Sequence, residues 1–126
     1  HQTDMQSVFA KSHIVCLPSY REGVPKALIE AAATGRSLVA TNVPGCREVV
    51  RHGLNGLLVP PHQAAPLAAA LECLIRNSAA RLRMGRASRA LAVSDFSLGR
   101  VISETLAVYD EVLPARKALR RYARAV

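Results

Sequence analysis

The segment from His13 to Gly35 constrains the fold more than any other part of the chain. His13-Ile14-Val15-Cys16-Leu17 is a short apolar run closed by Pro18, the pattern of a buried strand. Lys26-Ala27-Leu28-Ile29-Glu30-Ala31-Ala32-Ala33 reads as a helix, placed over residues 25–34. Pro25 stands where helices favour proline, and Gly35 stands where they commonly end. The same alternation continues downstream. Ser37 to Thr41 reads as a second strand, Pro44-Gly45 as a turn, and Arg47 to Arg51 as a short helical piece. Gly53 and Asn55-Gly56 punctuate a loop before a third strand, Leu57-Leu58-Val59, which Pro60-Pro61 stops. Alternating strands and helices pair their strands in parallel through crossovers, so the fold class is α/β.

The remainder is helical by periodicity. Residues 63–77 carry Leu67, Leu71, Leu74 and Ile75 at helical spacing; residues 79–92 carry Leu82, Met84 and Leu91. Ser97 to Leu113 carries Val101, Ile102, Leu106 and Tyr109, and Asp4 to Ser12 reads as the end of a helix.

Two carboxylates, Glu22 and Glu30, bracket the strand-to-helix turn. In parallel α/β sheets, ligands bind where the strands' carboxyl ends meet helix N-termini. A helix N-terminus offers free amides and a positive dipole end, which suits phosphate. An ionised carboxylate only accepts hydrogen bonds, which suits sugar hydroxyls. Phosphate and sugar on one ligand describe a nucleotide sugar. Ser19 and Tyr20 fall at the mouth of that pocket, and the amides of Ala27 and Leu28 fall in the first helical turn.

Glu22-Gly23-Val24-Pro25 followed by Leu28-Ile29-Glu30-Ala31 resembles the Glu-x7-Glu motif of retaining GT-B glycosyltransferases, the glycosyl transferases group 1 superfamily. Leu17-Pro18-Ser19, Gly35 to Thr41, Pro44 to Val50 and Gly53 to Pro61 follow in family-like order. Cys46 departs from the pattern, standing where the family often has a second glycine, and His62-Gln63-Ala64 replaces a common Gly-Asp stretch. The resemblance implies a role for each matching residue. Glu30 corresponds to the glutamate that holds the ribose hydroxyls, and Glu22 to the catalytic glutamate beside the transferred sugar. Gly23 and Val24 correspond to backbone donors toward phosphate and sugar, with Ser19, Ala27 and Leu28 completing the donor site. It implies no cofactor beyond the nucleoside-diphosphate sugar donor, and no metal.

The resemblance also implies a second half of a Rossmann-like donor domain: a short parallel sheet of about three strands, with flanking helices and a helical end. The chain begins at His1, which reads as a cut from a longer protein. The Arg/Lys clamp on the diphosphate and the N-terminal domain for a sugar or lipid-linked acceptor are then expected upstream. The fragment alone is expected to be inactive, and the strand at residues 13–17 to form an open edge that invites self-association. The alternative is a non-catalytic module that kept the fold and nucleotide-sugar binding.

Charge is uneven. The net charge of +8 falls mostly in residues 81–126, where ten basic side chains face four acidic ones. Residues 1–113 read as the domain and 114–126 as a basic amphipathic tail, suited to an anionic membrane surface. With only three Tyr and two Phe, the chain lacks stacking platforms for nucleic acid. Three unpaired cysteines, Cys16, Cys46 and Cys73, argue against a disulfide framework and for a cytoplasmic protein. Cys16, in an apolar strand, is expected to pack as a small hydrophobe. No pair of histidines has metal-ligand spacing.

Overall fold

The computed structural model of the chain describes residues 4–112. Strands β1 (Ile14–Leu17), β2 (Ser37–Thr41) and β3 (Gly56–Val59) form one parallel sheet whose spatial order is the chain order. Its helices are α1 (Met5–Lys11), α2 (Lys26–Ala33), α3 (Pro44–Val49), α4 (Ala64–Arg76), α5 (Ser78–Asp95) and α6 (Leu98–Val112). These residues fall into two compact units that divide between Val93 and Ser94. The first unit holds the sheet, α1 to α4 and nearly all of α5; the second holds α6. The tail expected over residues 114–126 lies outside the described residues.

β2 is the centre of the sheet, and all five of its residues are buried. Its polar ends are tied down: Ser37 Oγ donates to the His13 carbonyl at 3.1 Å, and Thr41 Oγ1 donates to the Ser19 carbonyl. Side chains alternate across a strand. Val39 joins Val59, Ala70, Leu74, Ala80 and Met84 in one core cluster. Leu38 and Ala40 therefore point to the opposite face, where α2 buries Leu28, Ala31 and Ala32. Burying one such leucine contributes about 1.5–3 kcal/mol.

Several expectations need correcting. α3 begins at Pro44, three residues before the helical piece read from the sequence, because a proline in the first turn is pre-set for a helix. Cys16 is exposed, since β1 has a strand neighbour on one side only among the described residues. Partial desolvation still pushes its thiol pKa up. Ile75 and Leu82 are exposed, at 66% and 64%. α5 instead buries Ala80, Met84, Ser88 and Ala92, every fourth residue and mostly small. Small side chains let the helix come close. A Cβ on Gly85 would lie 2.3 Å from the carbonyl oxygen of Gly35, whose φ of +71° ends α2.

Asn55 is more than loop punctuation. It is fully buried, its Oδ1 accepts from the Arg51 amide at 2.7 Å, and its Nδ2 donates to the Val49 carbonyl at 2.9 Å. Its own carbonyl accepts from Ser88 Oγ at 3.0 Å, joining the loop to α5. Asn55→Ala leaves two main-chain groups without those partners. It is expected to cost about 2 kcal/mol in urea unfolding, against a few tenths for a surface asparagine.

Candidate functional site

Glu22 lies on the loop between β1 and α2, at the carboxyl end of the sheet. Its Oε1 accepts a hydrogen bond from Ser19 Oγ at 2.5 Å. The carbonyl of the same Ser19 accepts from Thr41 at the end of β2. The first turn of α3 rests on the loop's main chain. A Cβ built on Gly45 would stand 1.4 Å from the Gly23 carbonyl oxygen and 2.5 Å from that of Glu22. The loop is therefore fixed by β2 on one side and by α3 on the other, and Glu22 is half-buried on it.

Cys46 is fully buried beside this loop. Burial pushes its thiol pKa up; a hydrogen bond with Thr41 pulls the other way, and the Glu22 carboxylate adds a further push up. It is a protonated packing residue at neutral pH.

Tyr20, Arg21, Glu22, Gly23 and Pro44 line an open cleft of about 400 Å³. A Cβ on Gly23 would meet nothing within 4 Å, and Gly23 has no left-handed backbone to maintain. The fold itself thus sets no demand for glycine at this position. A second cleft of about 290 Å³ adjoins through Tyr20 and reaches Thr41, Pro60 and His62. The Tyr20 and His62 rings are stacked, with centroids 4.0 Å apart and planes 14° apart. His62 holds φ at +62°, a conformation that glycine adopts more easily.

The other sequence-derived residues are arranged around α2. Val24 is exposed, as is Ala27. The Leu28 side chain is fully buried, and its amide donates to the Pro25 carbonyl at 3.0 Å. That leaves the amides of Lys26 and Ala27 as the donors ahead of the first intrahelical bonds. Glu30 lies about one turn into the helix, with its side chain 40% exposed and 3.8 Å from Lys26 Nζ. An ion pair this exposed contributes only a few tenths of a kcal/mol. Ser19 and Glu22 are thus brought together directly, while Glu30 stands outside the cleft wall that holds Glu22. Among the described residues, no three His, Cys, Asp or Glu side chains gather as a metal site. No described helix is long and apolar enough to cross a membrane.

Three contributors were not singled out from the sequence. Thr41 and Gly45 hold the Glu22 loop, and His62 supports Tyr20. Pro44-Gly45 carried a local signal, but it reads equally as a turn. The other two act across the fold, between residues far apart in sequence.

This geometry has counterparts in known proteins. The family profile described as glycosyl transferases group 1 matches residues 1–77. A glycogen synthase of Mycobacterium tuberculosis is 35% identical over 107 residues, covering 85% of this chain and 26% of the relative. The structure of sucrose-phosphate synthase from Thermosynechococcus elongatus superposes with a TM-score of 0.82 at 27% identity, over 86% of this chain and 27% of that one. The Anabaena protein HepE, solved in complex with UDP-glucose, gives a TM-score of 0.78 at 26% identity, over 85% of this chain and 30% of its own. The chain spans about a quarter of the length of the curated relatives it matches. With the family profile covering more than half of its residues, and curated glycosyltransferase relatives 35% identical over more than four-fifths of the chain, this chain belongs to the glycosyl transferases group 1 family.

Proposed function

We propose that the chain is the donor-binding part of a longer glycosyltransferase that moves a sugar from a nucleoside-diphosphate sugar to a hydroxyl acceptor, with retention at the anomeric carbon. The observation that carries this reading is the Glu22-Gly23 loop. It pairs a fixed, half-buried carboxylate with an exposed glycine main chain, immediately ahead of the α2 N-terminus. The Anabaena neighbour's complex with UDP-glucose supports a nucleotide sugar as the ligand. In this reading the diphosphate lies against the amides of Lys26 and Ala27, with Gly23 and Val24 presenting main chain to phosphate and sugar. Glu30 accepts from the ribose hydroxyls, exchanging its weak pair with Lys26 for them. Glu22 faces the transferred sugar, held by Ser19 so that its carboxylate needs no reorientation as charge develops.

The acceptor is bound by a part of the enzyme beyond this chain, so the chain alone turns over no sugar. The open edge of β1 is where the rest of the donor domain pairs, and without it copies of the chain self-associate.

Two substitutions in the full-length enzyme test the assignments. Glu30→Ala is expected to weaken nucleoside-diphosphate binding about tenfold or more, since a charge-assisted hydrogen bond contributes about 1.5–3 kcal/mol. Calorimetric titration measures it, and unchanged affinity sinks the ribose role. Glu22→Gln is expected to lower kcat about tenfold or more, with nucleoside-diphosphate affinity nearly intact, because its interaction strengthens in the transition state. Equal losses in rate and in diphosphate affinity would move Glu22 to the nucleotide end.

A further inference from the structure

The far end of the sheet carries a third cleft, which the donor site does not use. It opens beside the turn that leads into β2, whereas the Glu22 loop follows the other end of β1. The strands run parallel, so the two lie at opposite ends of the sheet. The cleft is about 540 Å³, within the usual size of small-molecule sites. Its wall includes His13, Arg36, Arg81, Arg86 and Arg89 and no carboxylate. The sequence explains the imbalance: no acidic residue occurs between Glu30 and Glu48, nor between Glu72 and Asp95, and the arginines come from those two stretches.

Three of the guanidinium groups are fixed by main-chain carbonyls. Arg36 Nε donates to Thr34 and its Nη1 to Ser12, each at 3.0 Å. Arg81 Nη1 donates to Leu74 at 2.6 Å and to Ile75 at 2.7 Å. Arg89 Nη1 donates to Ala33 at 2.5 Å. These carbonyls end helices, so cation-to-dipole attraction accounts for one contact face of each arginine. It does not account for the rest. A guanidinium has five N–H donors in a planar fork and does not lose its charge. Most of those donors remain beyond the carbonyl contacts, and Arg86 has no hydrogen bond or ion pair among the described residues. Like charges facing one cleft repel unless an anion lies between them. The close approach of Gly85 to Gly35 holds α5, and with it these arginines, against the turn that carries Arg36.

We propose that this cleft binds a phosphate group, as a soluble phosphate ester or as a lipid headgroup, at a site separate from the donor site. Arg86 supplies the free fork, while Arg36, Arg81 and Arg89 supply pre-positioned charge. Guanidinium and phosphate match in bidentate geometry, and the fixed side chains lose little freedom on binding.

The test uses the intact chain and follows backbone amide shifts by NMR. Inorganic pyrophosphate is expected to perturb Gly35, Arg36 and Gly85. Arg86→Ser is expected to weaken that response about tenfold, the scale of a hydrogen bond to a charged group. Arg83→Ser removes the same charge from the same helix outside the cleft wall, and is expected to change it less than about twofold by screening alone. Phosphatidylcholine vesicles with and without phosphatidylglycerol separate the sources. Arg86-dependent perturbation by the anionic vesicles assigns a lipid headgroup, and perturbation by pyrophosphate alone assigns a soluble ester. Shifts confined to Glu22–Leu28, no shift with either probe, or equal losses for Arg83→Ser and Arg86→Ser would overturn the proposal.

Discussion

Gly45→Ala is expected to destabilise the chain by about 3 kcal/mol, the upper end of what overpacking costs. Helix propensity alone predicts the reverse, because alanine in a helix interior is favoured over glycine by about 1 kcal/mol. The steric effect wins for a specific reason. The atoms an alanine Cβ would meet, 1.4 Å, 2.4 Å and 2.5 Å away, are all main chain of Glu22 and Gly23. No rotamer change can relieve that, so either α3 or the loop must move. The loop is the exposed partner, so the amide shifts of Gly23 and Val24 are expected to change along with the urea midpoint. A variant as stable as the parent, or more so, would show that the loop is not held by α3.

Leu74→Ala is expected to cost about 3–4 kcal/mol. Leu74 is wholly inaccessible and sits among Val39, Val59, Ala70, Ala80 and Met84, drawn from two strands and two helices. Two of those neighbours are alanines, whose short side chains cannot swing into the vacated space. The lost transfer energy and the cavity therefore add. The urea midpoint should fall with the slope unchanged, the mark of lost stability without a change in the surface exposed on unfolding. A loss under about 1 kcal/mol would mean that α4 is not anchored through this residue.

Much of this fold is legible in the sequence because its signals are local. The run at residues 13–17 and the Ser37–Thr41 strand are bounded by Pro18, Gly35 and Pro44, and the structure places strands at Ile14–Leu17 and Ser37–Thr41. The helix before Gly35 is read correctly for the same reason: the glycine's left-handed turn leaves a one-residue signature. Periodicity misleads where packing partners are small. Leu82 looks like a core position by hydrophobicity, yet α5 turns Ala80, Met84, Gly85 and Ser88 inward, with Gly85 so close to the Gly35 turn that a Cβ there would not fit. The site divides in the same way. Glu22, Glu30 and Gly23 are legible through their spacing on one strand–turn–helix unit. Thr41, Gly45 and His62 matter through contacts between distant segments, which the turn signal at Pro44-Gly45 does not reveal. The basic cleft was visible only as a charge excess, whose arrangement needed α5 laid against β2's entry turn.

The agreement between strand order in space and order along the chain has a kinetic consequence. Ile14 meets Ser37, and Leu38 meets Gly56, so each ladder closes a single short crossover. Closing a short loop loses less chain entropy than closing a long one, and proteins rich in near-neighbour contacts fold faster for their size. During synthesis, β2 emerges when β1 is already waiting, and β3 arrives next at the edge that β2 leaves open. The sheet can then grow one strand at a time in the direction of translation. The residues that fix the Glu22 loop, Thr41 at the end of the second strand and Gly45 just after it, leave the ribosome well before α4 and α5 close the core over Val39. The candidate donor site is thus framed early, while the arginine cleft takes shape only when α5 docks.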